Sequence, residues 1–289
     1  PELLPFICQS NAFFDHALGT SAGSLSPRTS WKALQDFEFP LPPLDEQKRI
    51  TEILWAADVT QEKYGQALDQ AEYALGLVRD EILSGRIELL AKFGVDPGNH
   101  VDWVTVSVGD VVQFQGGSQP PRDTFEYKPR DGVIRLIQIR DYKSDEFITY
   151  IPTELARRFC DETEVMIGRY GPPIFQILRG IKGAYNVALI KAVPNEERLS
   201  KDYLFWFLKQ RRLFEAIDHL SRRSSGQTGI DMDFLKKYSL PLPPLRIQQS
   251  IVDLFESFEE KKTLIANHCQ QQLRLKQSYF SENIGAAHV

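Results

Sequence analysis

The chain holds few of the residues that carry local chemistry. Its 3 cysteines, Cys8, Cys160 and Cys269, lie far apart, with no CxxC pair and no histidine at ligand spacing beside them. That excludes a sequence-local zinc site, and a chain built without cysteine pairs suits a reducing compartment. No stretch approaches the ~20 apolar residues a helix needs to cross a bilayer. The opening PELLPFICQSN has neither the basic nor the apolar region of a signal peptide. The expectation is a soluble, cytoplasmic protein with no membrane partner. Nor is there an excess of basic charge: 34 Lys and Arg stand against 39 Asp and Glu, for a net charge of -5. A generally basic nucleic-acid coat is excluded, whereas a local basic face is not. Also missing are a GxxxxGK[ST] phosphate loop, a GxGxxG after a strand and an HExxH.

What is present is an internal repeat. FPLPPLDEQKRITEIL (Phe39 to Leu54) returns as LPLPPLRIQQSIVDLF (Leu240 to Phe255), an offset of 201, with Gln47 and Ile50 matching Gln248 and Ile251. At the same offset Phe6, Gln9 and Phe13 fall on Phe207, Gln210 and Phe214. Asp15, His16 and Gly23 fall on Asp218, His219 and Gly226 at 203, which needs a two-residue indel. Residues 1–39 thus correspond to the last part of the unit that ends at Leu240. The expectation is that the chain opens in the middle of a domain, with roughly a hundred residues of a first copy missing upstream of Pro1, by truncation, as a stretch outside this sequence, or as a separately encoded half.

Pro40, Pro42 and Pro43 force extended backbone, and Asp45 can open a helix as an N-cap or first-turn acid. From there Ile50, Leu54, Ala57, Gln61, Tyr64, Leu68, Ala71, Leu75, Val78 and Ile82 alternate spacings of four and three, a heptad stripe that Gly85 ends. About 40 residues at ~1.5 Å rise make a rod of roughly 60 Å. A similar helix follows Pro243 and Pro244, with Ile251, Leu254, Phe255, Phe258, Ile265, Leu275 and Tyr279 as its seam. Two such stripes need cover, and an antiparallel pair supplies it. Between the helices the sequence reads as strands and turns. VTVSVGDVVQFQGG alternates like a strand pair, GVIRLIQIRDY and VALIKAVP are β-rich, and YLFWFLKQRRLFEAIDHL returns to helical spacing. The expected fold class is α+β: a mixed α/β domain with two long helices forming an antiparallel coiled coil.

Candidate catalytic groups have bland readings. GTSAG (Gly19 to Gly23) fits GxSxG, but a helix end precedes Ser21 and a Ser/Pro loop follows it, so a flexible loop is expected rather than a nucleophile elbow. His16 and His219 recur near helix ends, where histidine serves the helix terminus. Glu259 and Lys261 lie on a solvated helix face. Tyr170-Gly171-Pro172-Pro173 runs in a different order from the Asn/Asp-Pro-Pro-Tyr motif of amino-methyltransferases. No catalysis is expected of this chain.

The charge is segregated: Arg169 to Lys237 carries 13 Lys and Arg against 7 acids, whereas Asp45 to Lys92 carries 6 against 10. Within the basic part and the strands before it, Gln119, Arg122, Gln138, Arg140, Arg169, Tyr170, Arg222, Arg223 and Gln227 fall in turn-rich segments. Arg and Gln are the side chains able to read guanine and adenine edges bidentately in the major groove. These nine are the candidate DNA-binding residues. Ile50, Leu54, Leu68, Leu75, Val78, Ile82, Ile251, Phe255 and Phe258 are the candidate helix–helix or partner residues.

At its tandem PLPPL-plus-Gln-plus-helix units the sequence resembles the specificity subunit of type I restriction-modification systems. Trp103-Val104 with Val108-Gly109-Asp110 resembles that family's domain opening, and Gly226-Gln227 before Phe234-Leu235 its domain ending. The second copy departs from the pattern in having Arg246-Ile247-Gln248 for Asp45-Glu46-Gln47. The resemblance implies residues 1–40 as the tail of a first target recognition domain and 41–95 as a central conserved region with a spacer helix. It implies 96–240 as a second recognition domain and 241–289 as a C-terminal conserved helix. It further implies a non-catalytic reader of half a split double-stranded DNA site, with the helix pair as a ruler. The implied partners are methyltransferase subunits, two by the pseudo-symmetry, which carry S-adenosylmethionine, and restriction subunits for cleavage; self-association of the chain stays open. Three alternatives stand beside it: the specificity segment of a single-chain restriction enzyme-methyltransferase, a hydrolase using Ser21, and a coiled-coil scaffold without a DNA role.

Overall fold

The computed structural model describes residues 2–22, 28–97, 103–223 and 229–284, with Arg223 described by its backbone alone. Gly23, Gly226 and Gln227 lie outside the described residues. The chain divides into two compact units, residues 1–73 with 259–289 and residues 74–258. The first contains α1 (Leu4–Cys8), α2 (Asn11–Gly19) and α3 (Trp31–Leu34). Both units share the long helices α4 (Leu44–Leu83) and α10 (Leu245–Ile284), each of 40 residues. The second adds α5 (Glu88–Lys92), α6 (Val108–Val111), α7 (Lys201–Leu208), α8 (Arg211–Arg223) and α9 (Met232–Lys237).

Helix for helix, α1 to α4 recur as α7 to α10 at close to the offset of 201 found in the sequence. The reason is visible at the PLPPL turn. Each proline run ends with its last Pro carbonyl accepting from the first helical turn, Gln47 N–H on Pro43 O and Gln248 N–H on Pro244 O. The same glutamines donate Nε2 to the carbonyl one residue earlier, Gln47 to Pro42 at 2.7 Å and Gln248 to Pro243 at 2.8 Å. Proline cannot donate, so the glutamine closes the turn.

In the first unit Leu3, Phe6 and Ile7 pack on Ile50 and Leu54 of α4 and on Ile284 of α10. Further along, Asp58 pairs with Lys276, Tyr64 meets His268 ring to edge at 5.8 Å, and Glu72 approaches Lys262 at 3.7 Å. Residue numbers rise on one helix as they fall on the other, so the helices run antiparallel here. Leu68 is half-buried. The α10 seam differs from expectation in its second half, where Ile265 and Leu275 are exposed. Lys262 and Lys276, paired with carboxylates of α4, interrupt the seam there, while Tyr279 packs as expected beside Ile50, Leu54 and Ile284.

In the second unit Ile82 of α4, with half-buried Leu75 and Val78, lies on the core face, where Ile251, Phe255 and partly buried Phe258 of α10 join α7 and α9. The strands are β1 (Val104–Ser107), β2 (Val112–Gly116), β3 (Val133–Ile137), β4 (Tyr150–Pro152) and β5 (Phe159–Cys160). They continue with β6 (Val165–Gly168), β7 (Gln176–Leu178), β8 (Gly183–Tyr185), β9 (Leu189–Pro194) and β10 (Ser239–Leu242). They form an antiparallel sheet β2-β9-β6-β7, a mixed sheet β4-β3-β8-β5 with β3 and β8 parallel, and the pair β1-β10. Such a mixture of helices and sheets is the expected α+β class.

Local capping explains where strand alternation misleads. Between β1 and β2, Ser107 N–H donates to the Asp110 carboxylate at 3.0 Å, and one helical turn buries Val108 and Val111 while handing the chain to another sheet. β3 stops at Ile137 because the Asp141 carboxylate accepts Gln138 N–H at 3.3 Å and turns Ile139–Tyr142 into a 3-10 turn. The aromatic run breaks between α7 and α8. Buried Gln210 there donates to Phe207 O at 2.9 Å, and the Asp80 carboxylate of α4 accepts Arg211 N–H at 3.2 Å. Burial raises the Asp80 pKa, opposed by that bond and by Arg79, Arg211 and Arg212.

Two predictions follow from these contacts. Gln248 is fully buried and, besides Pro243, donates to Arg198 O at 2.7 Å and accepts from Ser200 N–H at 2.8 Å. Gln248→Ala is expected to cost ~2–4 kcal/mol in denaturant unfolding, and Gln47→Ala about 1 kcal/mol; equal costs would contradict the assignment. Burial also pushes the Cys160 thiol up to about 12. Thiol labelling of the native protein at pH 8 should therefore modify exposed Cys8 and spare Cys160 until unfolding.

Candidate nucleic-acid interface

Four segments of the second unit meet around the turn between β8 and β9. The chain leaving β2 is laid against that turn: Gly117 N–H donates to Leu189 O at 3.0 Å and Ser118 N–H to Tyr185 O at 3.1 Å. Only glycine fits, since a Cβ at Gly117 would stand 1.8 Å from Asn186 O. This close approach fixes exposed Gln119, whose Nε2 donates to Pro120 O at 3.3 Å, and then exposed Arg122 in the 3-10 turn Arg122–Thr124.

The second segment follows β3. Asn186 N–H donates to Ile137 O at 3.1 Å, which seats the start of the 3-10 turn beside the same β8–β9 turn. Thr149, fully buried, accepts at Oγ1 from Gln138 Nε2 at 3.0 Å and from Arg140 Nη2 at 3.4 Å. Arg140 also reaches Phe147 O at 3.3 Å and lies over the Phe147 ring at 5.7 Å. The two side chains are thus tethered to one hydroxyl while Arg140 stays exposed. Beneath them Asp141 is buried with Arg135 Nε 3.6 Å from its carboxylate. Burial raises its pKa against the Gln138 N–H and the charges of Arg135 and Arg140.

The third segment leaves β6. Arg169 N–H donates to Ala188 O at 2.8 Å, and the Arg169 guanidinium lies over the Tyr170 ring at 5.3 Å. Ile174 and Phe175 are buried and Gly171 has φ +100°, so the loop is pinned at one end while Tyr170 remains exposed. The fourth segment escaped the sequence reading. Tyr185 N–H donates to Arg158 O at 3.0 Å, and the Arg158 charge acts on the Tyr185 hydroxyl, whose pKa burial nevertheless pushes up to about 12. Arg158 precedes a two-residue strand with no Gly or Pro to mark it, so only the dipeptide Arg157-Arg158 signalled it.

The segments that bear Gln119, Gln138, Arg140, Arg169 and Tyr170, and Arg158, are therefore hydrogen-bonded to β8 and the turn that follows it, with Arg122 three residues beyond Gln119. Guanidinium and amide donors there, with an exposed aromatic ring, can hydrogen-bond base edges and phosphates. Arg222 is placed otherwise. Its side chain is 78% exposed, pairs with Asp218 at 2.9 Å on its own helix, and rides on α8, which packs through Leu213 and Ile217 into the helical core. The side chains of Arg223 and Gln227 lie outside the described residues.

The remaining candidate groups are occupied structurally. Ser21 Oγ donates to Leu18 O at 2.9 Å at the end of α2, His16 Nε2 meets Ala33 O at 2.7 Å, and Glu259 pairs with Lys262 at 2.7 Å. Among the described residues no group of His, Cys, Asp and Glu is arranged to hold a metal, and no helix is long and apolar enough to cross a membrane.

Residues 100–275 match the family model described as the type I restriction modification DNA specificity domain. Over 162 residues the chain is 24% identical to the type I restriction enzyme MjaVIII specificity subunit of Methanocaldococcus jannaschii, a match covering 55% of this chain and 36% of that protein. Among solved structures, a chain from a study of complex assembly and conformational transition of the type I R-M system is similar with a TM-score of 0.71 at 17% identity. That match covers 98% of this chain and 70% of the other. The HsdS subunit from Thermoanaerobacter tengcongensis gives a TM-score of 0.58 at 18% identity, over 99% of this chain and 70% of that one. The matches span about a third to a half of the length of the curated relatives.

The clamp at Gly117 is open to a direct test. Gly117→Ala should destabilise the second unit by ~1–3 kcal/mol or more through overpacking. Gly116→Ala, which meets nothing within 4 Å, should cost little. Equal unfolding midpoints for the two variants would show that the loop is not clamped.

Proposed function

The chain belongs to the type I restriction modification DNA specificity domain family, and we propose that it reads one half of a bipartite duplex DNA site as the specificity subunit of such a complex. The observation that supports this reading is that the segments bearing Gln119, Gln138, Arg140, Arg169 and Tyr170 are hydrogen-bonded around one β8–β9 turn. A base reader needs its donors held before DNA arrives, because ordering long side chains on binding costs affinity. The tether of Gln138 and Arg140 to Thr149 meets that need.

The helices serve the rest of the complex. Trp55, Val59, Tyr73 and Leu264 are exposed apolar residues on α4 and α10, and such side chains suit methyltransferase subunits docking against the pair. The repeat of α1 to α4 as α7 to α10 supports two such partners, each meeting a similar surface. On this reading S-adenosylmethionine belongs to the methyltransferase partner, restriction subunits join for cleavage, and the chain itself performs no covalent step.

Selection of bound sequences from a random duplex pool, with and without a methyltransferase subunit, tests the proposal. A short half-site should be enriched, more sharply with the subunit present. Arg140→Ala and Arg169→Ala should each cost ~1–3 kcal/mol and relax one position of that site, whereas Arg222→Ala, on α8 away from these segments, should leave the sequence preference unchanged. A panel in which every variant weakens all sequences equally would overturn the base-reading assignment.

A further inference from the structure

The turn between β8 and β9 is buried on both sides of one residue. Tyr185, Asn186 and Leu189 are buried and Ala188 is half-buried, whereas Val187 between them is 38% exposed. The turn is held from within. Asn186 Oδ1 accepts Ala188 N–H at 3.1 Å and Asn186 O accepts Leu189 N–H at 3.1 Å, so the asparagine closes the loop with both its side chain and its backbone. It is also held from outside, where the backbone at Gly117 lies against Asn186 O too closely for any side chain. A valine has few χ1 rotamers. On such a turn its two methyl groups are presented in a fixed place.

The surroundings of Val187 supply the second observation. Leu189 O and Tyr185 O hold the segment that bears Gln119, Asn186 N–H holds the one that bears Gln138 and Arg140, and Ala188 O holds the one that bears Arg169 and Tyr170. Each of these anchors lies within two residues of Val187. The Arg and Gln side chains on those segments suit guanine and adenine edges, but no guanidinium or amide senses the C5 methyl that marks thymine in the major groove. That group is read by apolar contact. Phe147 and Tyr170 are exposed as well, yet each already carries an arginine over its ring, Arg140 at 5.7 Å and Arg169 at 5.3 Å.

We propose that Val187 is a specificity-determining residue whose methyl groups contact the C5 methyl of one thymine of the half-site. The proposal rests on the base-reading function above and adds to it the base that the arginines and glutamines do not select.

The test uses the intact chain with a methyltransferase subunit and the half-site found by selection. Each thymine, on either strand, is replaced singly by deoxyuridine, which removes the methyl and leaves every hydrogen-bonding group in place. At one position deoxyuridine should weaken binding of the parent chain about fourfold, the effect of one methyl withdrawn from contact. Val187→Ala should bind the two duplexes equally and keep its preference at the positions that Arg140→Ala and Arg169→Ala relax. Val187 is exposed, so the variant should melt as the parent does; if it does not fold, Val187→Ser takes its place.

A half-site without thymine, deoxyuridine without effect at every position, or an effect that Val187→Ala leaves intact would overturn the assignment of Val187, while the arginine variants still relax their own positions. Val187→Ala that weakens methyltransferase binding, with thymine and uracil duplexes bound equally by the parent, would assign the residue to a protein contact and overturn it too. No enriched half-site, or arginine variants that relax no position, would remove the base-reading function and this proposal with it.

Discussion

The amide of Gln248 is the constraint on which the second unit depends. It is fully buried, and all three of its hydrogen bonds go to backbone: to Pro243, to Arg198 and from Ser200. One side chain thus joins the start of α10 to the N-terminus of α7 and so ties the long helix to the domain it follows. A buried amide left half-satisfied costs more than the bond it loses, which makes this joint all-or-none. Gln47 repeats the local bond to Pro42 but is only half-buried. The same sequence motif therefore does different amounts of work in its two settings.

From that joint the site follows in steps. α7 packs on β6 and β9, β9 pairs with β2 and β6, and the chain segments leaving β2, β3 and β6 are each hydrogen-bonded to the β8–β9 turn. Backbone bonds to that turn, together with the Asp141 cap and buried Ile174 and Phe175, fix where each segment goes.

Much of this was legible in the sequence. The repeat at an offset of 201 located both long helices, and helical spacing the stretch that forms α7 and α8, since proline runs and apolar periodicity are local signals. The family resemblance rested on the same motif. Two kinds of feature were not legible. Asp110 and Asp141 cap turns through contacts only three residues long, but inside runs whose apolar alternation reads as strand. Lys262 and Lys276 pair with carboxylates of α4 where Ile265 and Leu275 were expected, and Arg158 reaches β8 only through the pairing of β5 with β8; both depend on contacts distant in sequence. The grouping of Gln119, Gln138, Arg140, Arg169 and Tyr170 was a matter of turn composition in the sequence; only the β8–β9 turn shows what joins their segments.

The central claim is that the residues around this turn face the bases. Its most direct test replaces Tyr170, and separately Leu264 on α10, with a photo-cross-linking amino acid in the complex with a methyltransferase subunit and duplex DNA. The account predicts DNA cross-links from position 170, mapped to bases of the half-site, and protein cross-links from position 264. DNA cross-links from position 264 with none from position 170 would contradict it.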